Sequence, residues 1–342
     1  MSALSGLYAR ATQLRRHWYQ NHRQRQRHLR APVISVGNLT VGGSGKTPVV
    51  AALARMLQAD GFRPAVLSRG YGRLGRADLV VVSDGSHVAV TTEESGDEPQ
   101  MLARGVPGVP VLVCADRHRA GVLAEERFGA TVHLLDDGFQ HVRLARTVDL
   151  LLMSPSDLDA AVLPSGRLRE PLAAAAAADA VLVPGSAADA ARVASSVGVR
   201  TAFHLTIHYL PPVLVKPFAS PVAVADKTSC PRCALAVAAI AQPSRFFEAL
   251  VAQGWNVRRE IAFRDHHWFS PAEVDRVATL AREVGAELIL TTEKDAVRLE
   301  PLLSEDARPQ WAYLPMTISI EPADVFRRWL RSRLDAGARP PS

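Results

Sequence analysis

Cysteine, lysine and long apolar runs are all scarce in this chain. Three cysteines (Cys114, Cys230, Cys233) cannot build a disulfide framework and suit a reducing compartment. Two of them form "CPRC" at 230–233, a lone C-x-x-C with no second pair to complete a zinc site, which suits a plain loop. The most alanine-rich stretch, "LAAAAAADAVLVPG" from Leu172, is short and broken by Asp179, so it does not read as a bilayer span. Lysine occurs only at 46, 216, 227 and 294, so a lysine inside a glycine cluster is poorly explained by chance.

Acid is missing from one place in particular. Residues 1–30 hold seven arginines and no Asp or Glu, whereas the other 312 residues carry 33 basic against 34 acidic side chains. The overall charge of +6 is therefore local, which argues against a nucleic-acid surface spread over the body. Within that segment Leu4, Leu7, Tyr8, Ala11, Leu14 and Trp18 recur at steps of three or four, the spacing of one helical face. Arg10, Arg15 and Arg16 interrupt any apolar run, so the segment is neither a signal peptide nor a membrane span. A basic amphipathic helix of this kind suits an anionic bilayer surface, and it equally suits packing on its own domain.

What is present is an ordinary globular composition, 48% hydrophobic and 22% charged, with length enough for two cores. From residue 31 onward β-branched runs ("PVISVG", "PAVLS", "VPVLVC", "TVHLLDDG", "VDLLLMS") alternate with helical patterns, the signature of a parallel sheet covered on both faces. A hairpin-like pair, "ADLVVVS" and "HVAVTT", brackets Asp84-Gly85. The expected organisation is a basic amphipathic helix (1–30), an α/β phosphate-loop domain (31–203), an extended Pro-containing linker (204–222) and a smaller α/β domain (223–335).

Five stretches bear on the chemistry. In "VGNLTVGGSGKTP" a strand runs into a glycine loop and then a helix, the setting in which backbone N–H groups and a helix N-terminus face phosphate. Thr40 stands where the usual pattern opens with glycine, but Gly42, Gly43 and Gly45 supply the backbone freedom. Thr40, Val41, Gly42, Gly43, Ser44, Gly45, Lys46 and Thr47 are the nucleotide cradle, with Lys46 on the β- and γ-phosphates and the Thr47 hydroxyl on Mg²⁺. "HLLDDGFQH" places Asp136 and Asp137 at the C-terminal end of an apolar strand, where an acid reaches Mg²⁺. In "SGDEP" Asp97 precedes a helix, which suits N-capping as well as a carboxylate that activates a hydroxyl; its spacing does not choose. In "RDHHWFSPAE" the side chains of Asp265, His266 and His267 diverge, and Ser270, Pro271 and Glu273 read as a helix start. Lys294 and Asp295 in "TEKDAVR" could pair with each other at another helix start.

Taken in order, "VGNLTVGGSGKTP", "SRGYG", "SGDEP", "DR" at 116–117, "DDGFQH", "GRLREP", "DHH" and "TEKDAVR" resemble the tetraacyldisaccharide 4′-kinases of lipid A biosynthesis, over residues 1 to about 330. The resemblance implies ATP-dependent phosphorylation of the 4′-hydroxyl of tetraacyldisaccharide 1-phosphate. It implies that Asp97 and His266 accept the hydroxyl proton, with His266 supplied by the second domain; separately, the Pro-containing linker motivates the expectation that closure completes the site. It further implies that Asp136, Asp137 and Glu170 are Mg²⁺ and nucleotide-site acids, and that Tyr71, Arg117 and His141 line the lipid-headgroup site. ATP and Mg²⁺ are the implied cofactors. The expected setting is a monomer peripheral to the cytoplasmic face of the bacterial inner membrane, held through the N-terminal helix, with no nucleic-acid partner. The rivals are a nucleotide-driven switch whose second domain binds a protein, and a basic nucleic-acid-binding protein.

Overall fold

The computed structural model describes residues 3–43, 45–222 and 232–337. Ser44 and Cys230 lie outside them. The chain opens with α1 (Ala3–Asn21), then β1 (Val33–Asn38), α2 (Lys46–Ala59), β2 (Pro64–Ser68), β3 (Leu79–Ser83), α3 (Thr92–Ser95), α4 (Asp97–Gly105), β4 (Val111–Cys114), α5 (Arg117–Phe128), β5 (Val132–Asp136) and β6 (Val148–Leu152). It continues through β7 (Ala180–Pro184), α6 (Ala187–Val197), β8 (Ala202–Tyr209) and β9 (Val213–Leu214). The remainder is β10 (Cys233–Ala238), α7 (Pro243–Ala252), β11 (Asn256–Ala262), α8 (Pro271–Glu283), β12 (Leu288–Thr292), α9 (Glu293–Leu299), β13 (Gln310–Leu314), β14 (Met316–Glu321) and α10 (Ala323–Gly337).

Nine strands form the large sheet in the order β14-β8-β7-β6-β1-β5-β2-β4-β3, and five form a second sheet, β11-β10-β12-β13-β9. The inner strands of the large sheet are parallel, while β14 and β3 run antiparallel at its edges. Strands such as β1 and β6 are buried along their whole length, as a sheet covered on both faces requires. In α2 the buried residues Val49, Val50, Leu53, Ala54 and Leu57 fall on one face, and Gly61, at φ 85°, ends the run. Only half of the expected hairpin forms: β3 pairs with β4, and Val88 meets Ser83 in a single bridge.

The C-terminal boundary differs from the sequence-based one. "WAYLPMTISI" is not one strand: β13 belongs to the small sheet, and β14 crosses back to pair with β8. The supposed linker therefore contains β8, a full member of the large sheet. The cause is burial. Ile318, Ile320, Phe326, Leu330 and Leu334 share one core with Leu53, Ala54 and Leu57 of α2. Each such side chain contributes on the order of 1.5–3 kcal/mol when buried.

Helix α1 docks with an unexpected polarity. Leu4, Leu7, Leu14 and Trp18 are 67%, 69%, 69% and 45% exposed. The face turned to the body is the polar one: Ser5 bonds Ser165, and the Arg16 guanidinium forks onto both oxygens of Glu170 at 2.6 and 2.8 Å while lying over the Phe139 ring. No helix among the described residues is long and apolar enough to cross a membrane.

Candidate active site

The site forms where the C-terminal ends of β1, β2 and β5 come side by side. β1 and β5 pair in register, Val36 opposite Asp136, so the glycine loop after one strand and the acids after the other must be neighbours. The loop turns at Gly42 (φ 102°) and at Gly45 (φ 80°), conformations open to glycine and rarely to other residues. Thr40 is buried and explains its own presence. Its Oγ1 accepts from Asn38 Nδ2 at 2.9 Å, and Asn38 Oδ1 accepts from Lys46 Nζ at 3.0 Å. The residue in place of glycine thus anchors the asparagine that holds the lysine. Leu168 bridges Thr40, and Val41 N donates to the Arg167 carbonyl, so "GRLREP" braces the loop from its flank.

Two carboxylates face that lysine. Asp137 lies 3.4 Å from Lys46 and accepts from Arg169 Nη1 at 2.7 Å. Burial pushes its pKa up, but Lys46 and Arg169 outweigh this and hold it below the usual carboxylate range. Asp136 has the opposite balance. Burial, then the charges of Glu98 and Asp137, push it up to about 7 against Lys46 and Arg117. Asp136 Oδ1 is buried without a hydrogen-bond partner, whereas Asp137 Oδ1 is the atom that faces Lys46 Nζ at 3.4 Å.

The second half of the site comes from the other domain. His266 Nδ1 lies 3.0 Å from Asp97 Oδ2, and His266 Nε2 lies 3.1 Å from Lys294 Nζ. Asp97 is the first residue of α4, with Gly96 in the capping position and no side-chain cap; its Oδ1 accepts from the Glu98 amide at 2.9 Å, so the N-cap reading fails and the chemical one stands. Burial raises its pKa, yet His266, Lys294 and Arg298 pull it below the ordinary value. Asp97 and Lys294 sit in elements that pack directly: Thr92 Oγ1 donates to the Val297 carbonyl, and Arg104 pairs with Glu300. His266 takes φ 58°, and Asp137 takes φ 53°. A non-glycine residue in that region costs on the order of 1–3 kcal/mol, and both fall at this site. His267 points elsewhere, to Glu273 at 3.2 Å and flat against Phe263.

One cleft of about 810 Å³ joins the two halves, lined by Gly42, Lys46, Tyr71, Asp136, Asp137 and His266 among others. Tyr71 meets the His266 ring edge-on at 5.4 Å. Three sequence-based assignments change. Glu170 lines the cleft, but both its oxygens are taken by Arg16, which makes it an anchor for α1 rather than a ready metal ligand. Arg117 does not line the cleft; it is buried and folds back onto the carbonyls of Cys114 and Ala115, its pKa lowered to about 10 by burial. His141 turns instead into a groove shared with Tyr19, Arg25 and Arg143, where burial and then Arg117 lower its pKa to about 4. Lys294 and Asp295 also part company: Lys294 faces Asp97, Glu98 and Asp265, and Asp295 faces Ala239, Thr292 and Arg298. Cys233 is buried, with Arg258 Nε donating to its Sγ at 3.3 Å.

Nothing in the sequence assigned Asn38, Arg169, Lys294 or Arg298 a place in the site. Lys294 had a signal, the rarity of lysine; the others lie inside quoted motifs, Asn38 with partners close by in the chain, Arg169 and Arg298 with partners 32 and 201 positions away.

A phosphate cradle facing a carboxylate–histidine pair across a domain cleft is the arrangement of a phosphotransferase, in which donor phosphate and acceptor hydroxyl must meet. The chain is a kinase of the phosphate-loop class. Residues 1–335 match the family described as Tetraacyldisaccharide-1-P 4'-kinase, and the chain belongs to it. It is 41% identical over 323 residues to the tetraacyldisaccharide 4'-kinase of Geobacter metallireducens, covering 93% of each chain. It is 35% identical to that of Syntrophus aciditrophicus, over 98% of this chain and 93% of the relative. The crystal structure of the "apo" form of LpxK from Aquifex aeolicus in complex with ATP superposes with a TM-score of 0.77 at 29% identity, covering 97% of each chain.

Proposed function

We propose that this chain transfers the γ-phosphoryl group of ATP to the 4′-hydroxyl of tetraacyldisaccharide 1-phosphate. The observation that carries the reading is the single cleft in which Lys46 of one domain and His266 of the other both lie, with Asp97 behind the histidine. Lys46 and the loop amides orient and neutralise the β- and γ-phosphates. His266 is presented to the cleft and Asp97 is 4% exposed behind it, so the imidazole faces the acceptor and the carboxylate orients the ring. With Nδ1–H donating to Asp97, Nε2 is the basic atom, shared with Lys294 until a hydroxyl takes its place. As the acceptor oxygen bonds to phosphorus, its proton passes to His266 and the bond to the bridging oxygen of ADP breaks.

Mg²⁺ fits this donor set. Thr47, Asp136 and Asp137 would hold it: Asp136 Oδ1 is buried without a hydrogen-bond partner, Asp137 Oδ1 faces the Lys46 ammonium at 3.4 Å, and carboxylate oxygens are the ligands such an ion takes. When bound it supplies charge neutralisation across the β- and γ-phosphates. A kinase site needs no larger protein cage, because phosphates and water complete the shell; none of three or more His, Cys, Asp or Glu occurs among the described residues.

The outward apolar face of α1 supports attachment to a lipid surface, consistent with a substrate whose acyl chains stay in the bilayer. Seven arginines in the same segment favour an anionic leaflet, and ATP as donor favours the cytoplasmic face of the inner membrane. Removing residues 1–28 would also remove the Arg16–Glu170 pair, so the cleaner test replaces Leu4, Leu7, Leu14 and Trp18 with serine. That variant should stay folded and lose binding to anionic vesicles; undiminished binding counts against the attachment. For the reaction, labelled ATP and tetraacyldisaccharide 1-phosphate should yield labelled lipid, and a folded wild-type protein that transfers nothing refutes the proposal.

A further inference from the structure

Arg298 is buried at 4% exposure, and its guanidinium reaches three places at once. Nη2 lies 2.9 Å from Asp295 Oδ1 and 3.3 Å from Asp97 Oδ2, while Nη1 donates to the His267 carbonyl at 2.8 Å. Asp295, fully buried, is fixed from behind by the Ala239 amide at 2.9 Å and the Thr292 hydroxyl at 2.7 Å. The His266 amide in turn donates to the Ala239 carbonyl. The guanidinium therefore ties down both stretches of backbone that fix His266 and lies 3.3 Å from the carboxylate supplied by the other domain.

We propose that Arg298 is a positioning residue for phosphoryl transfer, setting the spacing between the Asp97 carboxylate and the His266 ring. The inference rests on the kinase reading above and adds to it a residue that touches neither phosphate nor acceptor. An ordinary domain-to-domain ion pair would need only a charge. Two hydrogen bonds in fixed directions, from Nη2 to Asp295 and from Nη1 to the His267 carbonyl, beside a charge contact with Asp97, need a branched donor that an ammonium cannot reproduce. Arg298 also shares Asp97 Oδ2 with His266, so it decides how much of the carboxylate's charge the imidazole meets. The other charged groups around Asp97 are Lys294 on the same element as Arg298, Glu98 on α4 and Asp265 on the histidine loop.

The test measures kcat and the KM for ATP across pH for Arg298→Lys and for Arg298→Ala with and without added guanidinium. Arg298→Lys keeps a partner for Asp295 and should fold, yet lose roughly 10- to 100-fold in kcat with the KM for ATP unchanged. Arg298→Ala should move the acid limb of kcat/KM to higher pH, because Asp97 loses a positive neighbour, and guanidinium should restore turnover. Wild-type kcat in Arg298→Lys overturns the proposal. So does a joint loss of turnover, ATP binding and thermal stability that guanidinium does not reverse, which would mark a structural residue. Absence of transfer in the wild type would instead remove the underlying kinase reading, and it is seen before any variant is made.

Discussion

The phosphate loop and the Asp97–His266 pair are both small polar clusters in one cleft, but they are built in opposite ways. The loop's lysine is held by Asn38, eight residues away, and Asn38 by Thr40, two residues away. The proton-accepting pair joins residues 169 positions apart, and its stabilising charges, Lys294 and Arg298, come from an element still further along. A locally built cluster depends on the backbone turn that carries it. A cluster assembled between domains depends on the contact between α4 and α9. Donor binding and proton removal should therefore fail separately when either is damaged.

The largest break in that comparison is His266→Ala or Asp97→Asn. Loss of a positioned base should lower kcat by roughly 10²- to 10⁴-fold while ATP affinity, measured by calorimetry, stays near wild type. Lys46→Ala attacks the other cluster and should differ in kind: kcat/KM falls by about 10²- to 10³-fold, and ATP binding weakens with it. If both variants gave the same split between kcat and KM, the two clusters would not be separable.

Acid should distinguish the two sides as well. His141, in the turn beyond the Asp136–Asp137 strand, has its pKa lowered from 6.5 to about 4. The unfolded chain takes up this proton at a higher pH than the folded one. Stability from His141 is thus complete above pH 6.5 and is lost as pH falls toward 4, by at most about 3 kcal/mol. Asp97, already below the ordinary carboxylate range, remains charged across that interval. In urea unfolding, His141→Gln should show a smaller loss between pH 6.5 and 4 than wild type, and equal slopes would refute the assignment. The smallest effect is Thr40→Val, which removes one link in the chain to Lys46. A single hydrogen bond of about 1 kcal/mol corresponds to roughly a fivefold loss in ATP affinity, and Thr40→Ser should retain wild-type binding.

The same contrast explains what could be read without coordinates. The loop, the strand ending in Asp136 and the helix starts at Asp97 and Ser270 follow from short-range rules, and each stands where its motif put it. The pairing of His266 with Asp97 entered through family resemblance, because nothing in "RDHHWF" names a partner in another domain. Glu170 and His141 were misplaced for a related reason: motif position does not say which way a side chain turns, and Arg16 and the groove beside Tyr19 and Arg25 claimed them. The polarity of α1 was also hidden. Periodicity shows that a helix has an apolar face, and only the Arg16–Glu170 fork shows that this face is turned away from the body.

The return of β14 and α10 to the large sheet bears on how the protein is made. Ribosomes release chains from the N-terminus, and domains ordinarily fold as they emerge. Here the catalytic sheet lacks its last strand, and α2 lacks the cover of Phe326 and Leu330, until the entire smaller domain has been synthesised. The kinase half therefore waits for its own C-terminus, and a chain stopped near residue 315 would be left with β8 as a raw sheet edge and an uncovered apolar face.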